Sequence, residues 1–158
     1  MNQRYRKRNT PAFTAASYFA LSAGLFLFCL GVYNADWELN VKGYYLLCMV
    51  LITITCIVVQ KVVRDNTEDK DIRLENPKHR MRNTGAFTGM AFAGLIIGFA
   101  MFFIGLYNAP FELNVKGYYI AVILLISYSA IGVQKVTRDN AEDNEILAEQ
   151  DARWNIQG

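Results

Sequence analysis

The polar residues best suited to chemistry come in two copies. The string Tyr33-Asn34-Ala35-x-x-Glu38-Leu39-Asn40-Val41-Lys42-Gly43-Tyr44-Tyr45 returns as Tyr107-Asn108-Ala109-x-x-Glu112-Leu113-Asn114-Val115-Lys116-Gly117-Tyr118-Tyr119. Glu38 stands four residues before Lys42, the favourable order for a helical ion pair, and Glu112 stands likewise before Lys116. Asn34 and Asn108 suit a helix end, and Asn40 and Asn114 suit the start of the next helix. On this structural reading the string is a stapled turn. On the functional reading, Asn34, Glu38, Asn40, Lys42, Asn108, Glu112, Asn114 and Lys116 meet around a pseudo-two-fold and form a small polar binding or contact patch. A second string, Gln60-Lys61-Val62-Val63-Arg64-Asp65-Asn66, returns as Gln134-Lys135-Val136-Thr137-Arg138-Asp139-Asn140. Lys61, Arg64, Lys135 and Arg138 suit a helix C-terminus and anionic head groups. With Gln60, Asp65, Gln134 and Asp139 they form an anchor or a docking motif. Arg64/Glu68 and Arg138/Glu142 are i,i+4 neighbours, as are Lys61/Asp65 and Lys135/Asp139.

Catalytic chemistry finds little material. His79 is the one histidine, so there is no His-based zinc site and no Ser–His pair. No Gly-rich phosphate loop appears. Cys29, Cys48 and Cys56 fall inside apolar runs and read as small buried hydrophobes. The expectation is a protein that is not an enzyme, with no cofactor and no metal.

The elements carrying these strings are long and apolar. Of the residues, 53% are hydrophobic and 19% charged, against about 45–50% and about 25% in soluble domains. Residues 12–33, 43–59, 86–107 and 117–133 contain no Asp, Glu, Lys, Arg or His. A helix in water needs a polar stripe, so these are read as four transmembrane spans, and a soluble enzyme and a nucleic-acid partner are excluded. Twenty-two residues at about 1.5 Å each cover the roughly 30 Å hydrocarbon core. The 17-residue spans are short, and the stems of Lys42 and Lys61 extend one of them. The first run is too long for a signal-peptide h-region and lacks an A-x-A-like cleavage site, so it stays as a span. Fourteen of the sixteen Lys and Arg residues lie before span one, between spans two and three, or after span four. By the positive-inside rule both termini and the central linker are cytoplasmic, and the two short loops periplasmic.

Adding 74 to each residue number maps the first half onto the second without a gap. Arg8-Asn9-Thr10 becomes Arg82-Asn83-Thr84. The expected organisation is a basic N-terminus over 1–11, a first two-helix repeat over 12–66, a linker over 67–82, a second repeat over 83–140 and a polar tail over 141–158. The fold class is all-α: four transmembrane helices in two tandem, parallel helical hairpins. Thr10 followed by Pro11 marks a helix start, and Thr84 repeats the cap. Ala20, Gly24 and Gly31, with Gly94, Gly98 and Gly105, form a small-residue stripe for close helix packing, within the chain or between copies of it.

The strings around Tyr33–Tyr45 and Gln60–Asp65, each seen twice, resemble the YiaA/YiaB family of bacterial inner-membrane proteins, whose unit is a two-helix domain. The resemblance covers about residues 10–66 and 84–140. The family pattern carries Trp before the Asn-Ala pair, where this chain has Tyr33 and Tyr107. It implies an inner-membrane, four-helix protein and names no substrate. Two functions remain in view. One is a non-enzymatic structural, accessory or stress-related membrane protein, whose partners are the lipid bilayer and a homo-oligomer or larger membrane complex. The other is a transporter or channel for a small solute, with Thr53, Thr55, Ser127, Tyr128 and Ser129 to line a path. The spans hold no ionisable residue of the kind that couples transport to ions. A continuous wet cavity would favour transport, a closed apolar bundle the first reading.

Overall fold

The computed structural model describes residues 7–157, so Arg4 and Arg6 lie outside the described residues. Among those described, every regular element is an α-helix: α1 (Pro11–Asn34), α2 (Leu39–Glu75), α3 (Gly85–Asn108) and α4 (Leu113–Gln157). Each contains a stretch long and apolar enough to cross a membrane. The starts of α1 and α3 follow from their caps. Thr10 Oγ1 accepts the Phe13 N–H at 3.2 Å, and Thr84 Oγ1 accepts that of Phe87 at 3.2 Å. Each side chain satisfies one of the first-turn amides that a helix leaves free.

α2 and α4 run past their apolar stretches into charged sequence without a break. No Gly or Pro interrupts residues 60–75 or 134–157, and Arg64–Glu68 and Arg138–Glu142 pair along the helix surface. The segment read as a linker, 67–82, is therefore helical as far as Glu75, and α4 continues through the tail to Gln157. α2 stops at Asn76 because Pro77 disfavours helical geometry in the residue before it.

Packing crosses between the repeats. α1 lies along α4, α3 along α2, and α2 meets α4 through the middle, whereas α1 and α2 of one repeat touch sparingly. Each hairpin is thus splayed, and its helices find their neighbours in the other half. The connectors allow this. Residues 35–38 are non-helical, with Ala35 at ψ 139° and Glu38 at ψ 151°. Four extended residues reach about 13 Å, more than the 8–10 Å between packed helix axes.

The small-residue stripe sits on these seams. A Cβ on Gly24 would lie 2.9 Å from Ile126 Cγ1, and one on Gly98 would lie 3.0 Å from Ile52 Cγ1. Gly94 faces Thr55, and Ala20 is half-buried. Phe28, Ile52, Phe102, Ile123 and Ile126 are fully buried at the centre. Outward, Phe19, Leu47 and Ile96 are more than two-thirds exposed, which suits lipid rather than water. Cys48 and Cys56 are buried, but Cys29 is exposed on this outer surface, because it lies beside Phe28 and off the seam.

Candidate functional sites at the two ends of the bundle

At the end where the helices project, two clamps built from the same residue types form. The Arg8 N–H donates to Asp143 Oδ2 at 2.7 Å, its Nε to Asp143 Oδ1 at 2.8 Å, and an Nη2 hydrogen to Glu142 at 2.8 Å. Arg82 repeats this on α2: its N–H reaches Asp69 Oδ2 at 2.6 Å, Nε reaches Asp69 Oδ1 at 3.0 Å, and Nη2 reaches Glu68 at 2.9 Å. Asn140 Nδ2 donates to Thr14 Oγ1 and Asn66 Nδ2 to Thr88 Oγ1, both at 3.2 Å. Asp69 and Asp143 are wholly buried, so their charges require these donors. His79 Nε2, 2.9 Å from Asp69 Oδ1, together with the Arg82 backbone and guanidinium, holds the Asp69 carboxyl down to about 2 despite its burial. Glu68 is lowered first by Arg64 and then by Arg82; Glu142 is lowered chiefly by Arg8. The Arg82 guanidinium is raised by Asp69 and then Glu68.

The docking string divides across this end. Lys61 and Lys135 are exposed, Arg64 and Arg138 half-buried, and Asp65 and Asp139 buried. Arg64 Nη2 also approaches Glu142 of α4 at 3.7 Å. Gln134 is half-buried, and Gln60 keeps a buried Oε1 with no hydrogen-bond partner. Neither Lys61–Asp65 nor Lys135–Asp139 closes as an ion pair; the aspartates turn inward and the lysines outward.

At the loop end the expected ion-pair staple is replaced by a different bond. Lys42 Nζ donates to the Tyr33 carbonyl at 3.1 Å, and Lys116 Nζ donates to that of Tyr107 at 3.0 Å. Glu38 precedes the helix, while the free carbonyls at the α1 terminus present its negative pole to the amine. This also explains a lysine near the start of α2, where its own helix dipole opposes it. Asn34 and Asn108 donate back to Leu30 and Ile104 carbonyls at 2.8 and 2.9 Å. Asn40 and Asn114, expected to cap α2 and α4, are instead the second residues of these helices, and accept the N–H of Val41 and Val115 at 2.8 and 2.7 Å. Glu38 and Glu112 are exposed.

The two loops meet through aromatics. Trp37 stacks on Phe111 with centroids 4.4 Å apart and planes 8° apart, and Tyr45 stacks on Tyr119 at 6.2 Å. Tyr45 and Tyr119 are buried beneath this plug. Tyr44 and Tyr118 cross the seams, donating to the Met101 and Leu27 carbonyls at 2.5 and 2.6 Å. Gly105 and Gly31 open room for these rings. Two shallow cavities flank the plug. One, about 530 Å³, includes Asn34, Trp37, Asn114 and Tyr118; the other, about 470 Å³, includes their counterparts Asn108, Phe111, Asn40 and Tyr44, with Glu38. The polar patch is thus split in two by an aromatic stack.

Between the ends, the hydroxyls proposed to line a path are occupied. Thr53, Thr55 and Ser127 donate to the carbonyls of Met49, Leu51 and Ile123, each at 2.7 Å, and Ser129 donates to that of Leu125. Tyr128 is 80% exposed and points away from the centre. No group of three or more His, Cys, Asp or Glu side chains among the described residues is arranged to hold a metal ion.

Two features escape a reading of motifs alone: the Arg8–Asp143 and Arg82–Asp69 clamps, and the Trp37–Phe111 plug. Both carry a signal in the duplication. Glu68-Asp69 returns as Glu142-Asp143 at the same offset, and Trp37 finds an aromatic at 111.

Comparison with known proteins agrees with the repeat. The model of the yiaA/B two helix domain matches residues 13–65 and again 87–139. An uncharacterized membrane protein of Bacillus subtilis, YubF, is 61% identical over 79 residues, which are 49% of this chain and 91% of that protein. The inner membrane protein YiaA of Escherichia coli is 34% identical over 130 residues, 82% of each chain. No solved structure matches the chain.

Proposed function

The chain belongs to the yiaA/B two helix domain family, and from that premise we propose that it is a non-enzymatic protein of the bacterial inner membrane with a structural, accessory or stress-related role. One observation carries the proposal: the middle of the bundle is closed by Phe28, Ile52, Phe102, Ile123 and Ile126, and its hydroxyls bond their own helices. A solute path needs polar groups free to replace the hydration shell of what passes. The Lys/Arg distribution supports an orientation with both termini and the charged helix extensions in the cytoplasm. In that orientation the exposed Lys61 and Lys135 lie level with anionic head groups and serve as the anchor or docking motif. The divided Asn- and Glu-bearing patch at the loop end is the outward contact surface, toward a homo-oligomer or a larger membrane complex. Affinity capture from native membranes tests this reading. A stoichiometric protein partner is the expected result; solute flux through proteoliposomes containing the purified protein alone would overturn it in favour of a transporter or channel.

A further inference from the structure

The seams of this molecule have a property that neither its family nor its proposed role requires. Four sets of cross-repeat contacts occur twice, with partner residues of the same type in both halves. Gly24 of α1 meets Ile126 of α4, and Gly98 of α3 meets Ile52 of α2. Gly31 meets Tyr118, and Gly105 meets Tyr44. Arg8 is held by Glu142 and Asp143, and Arg82 by Glu68 and Asp69. Thr14 meets Asn140, and Thr88 meets Asn66. Repeat one with its flanking residues therefore carries both halves of the seam: the glycines and threonine on α1 with the arginine just before it, and the isoleucine, tyrosine, acidic pair and asparagine on α2. These cannot satisfy one another within a single hairpin, whose helices scarcely touch. Repeat two carries the same complementary set. This is the isologous arrangement of a two-fold dimer, in which residue i meets j and j meets i.

We infer that the assembling unit of this protein is the single two-helix repeat, that the chain is a covalently fused two-fold dimer, and that the partner its seams fit is a second two-helix unit bearing the same residues. Residues 76–84, which join the halves, then supply proximity and not the fold. Half of this chain matches nearly the whole length of the Bacillus relative, a unit of the size the inference requires. The features that differ between repeats are few: His79 adds a bond to Asp69 at 2.9 Å, and the residue at the corresponding position, 5, is a tyrosine. Tyr18 bonds Thr137 at 2.6 Å, where the corresponding residues are Phe92 and Val63. The plug pairs Trp37 with Phe111; two copies of repeat one would stack Trp37 on its own counterpart. These favour the mixed pairing without excluding the like one.

The test uses the full chain. A protease site is inserted between Lys78 and Met81, an affinity tag is attached after residue 158, and the purified protein is cut in mild detergent. Capture through the tag is expected to retain repeat one in equimolar amount, with the cut protein eluting where the uncut protein does. Recovery of repeat two alone would overturn the inference, since the linker would then be what holds the halves together. A second chain, in which residues 82–143 are replaced by the sequence of residues 8–69, asks whether like pairs with like. One cooperative unfolding transition, and retention of both halves after the same cut, is the expected outcome. If this chain is captured as single halves or aggregates while the cut parent stays paired, the seams are specific to unlike repeats, and the claim of an interchangeable two-helix partner fails.

Discussion

Gly105 and Gly117 are both helical, yet replacing each with alanine is expected to move stability in opposite directions. Alanine in a helix interior gains about 0.8–1.0 kcal/mol over glycine from backbone entropy. At Gly117 nothing lies within 4 Å of the new Cβ, so Gly117→Ala keeps that gain. At Gly105 the Cβ would stand 2.6 Å from Tyr44 Cε1 and 3.0 Å from its hydroxyl oxygen. The ring cannot simply swing away. Its hydroxyl is bonded to the Met101 carbonyl and its face meets Tyr45 at a centroid distance of 5.4 Å. Overpacking of this kind costs about 1–3 kcal/mol, and losing the hydroxyl bond adds about 0.5–1.5 kcal/mol. Set against the helical gain, Gly105→Ala should lose about 0.5–4 kcal/mol. Near-ultraviolet circular dichroism in mild detergent reads this out, at about 2–4 °C per kcal/mol for a chain of this size. Gly117→Ala should therefore melt a few degrees above the parent and Gly105→Ala several degrees below it. Adding Tyr44→Leu to Gly105→Ala should cost less than Tyr44→Leu costs alone in the parent, because it relieves the clash. A Gly105→Ala protein as stable as the parent would show that α2 and α3 do not approach as closely as described.

Three further outcomes follow from the two ends. Asp69 is held at about 2, below the roughly 3.9 of an unfolded chain. A depressed carboxylate stabilises the fold above the unfolded value, and its contribution is lost as pH falls from about 4 through 2. The unfolding midpoint should drop over that window, and Asp69→Asn should flatten the drop while lowering stability at neutral pH; an unchanged acid limb would contradict the clamp. Lys42→Met should cost about 0.3–1 kcal/mol through loss of the cation at the α1 terminus, and in Lys42→Glu the added change Glu38→Lys should give no recovery in thermal melts, since Lys42 bonds Tyr33 and not Glu38. With Cys29, Cys48 and Cys56 replaced, Asp36→Cys and Pro110→Cys should react with an impermeant thiol reagent added outside intact cells; labelling of cysteines introduced over 67–82 from that side would reverse the proposed orientation.

The number and type of the apolar helices were legible in the sequence because lipid imposes a requirement each segment must meet alone: about twenty residues without charge, with every backbone bond made inside the helix. The caps at Thr10 and Thr84 were legible for the same reason, being contacts three residues apart. So was the duplication, which is a property of the string. Which helices would touch was not, since a splayed and a closed hairpin satisfy the same hydropathy. That choice was made in three dimensions, where Gly31 accepts Tyr118 and Gly105 accepts Tyr44 from the opposite repeat, and where a four-residue non-helical connector lets each loop reach across the bundle. The same holds for the charges. Counting four residues forward from Glu38 suggests a partner in Lys42, but the carbonyl that captures the amine belongs to another helix. Asp69 and Asp143 read as two acids among many in polar segments, and only docking of Arg82 and Arg8 from distant sequence makes them buried and paired. Local rules govern what a segment forms by itself; the long-range seams and their ion pairs depend on which surfaces are brought together, and that information exists only in the folded bundle.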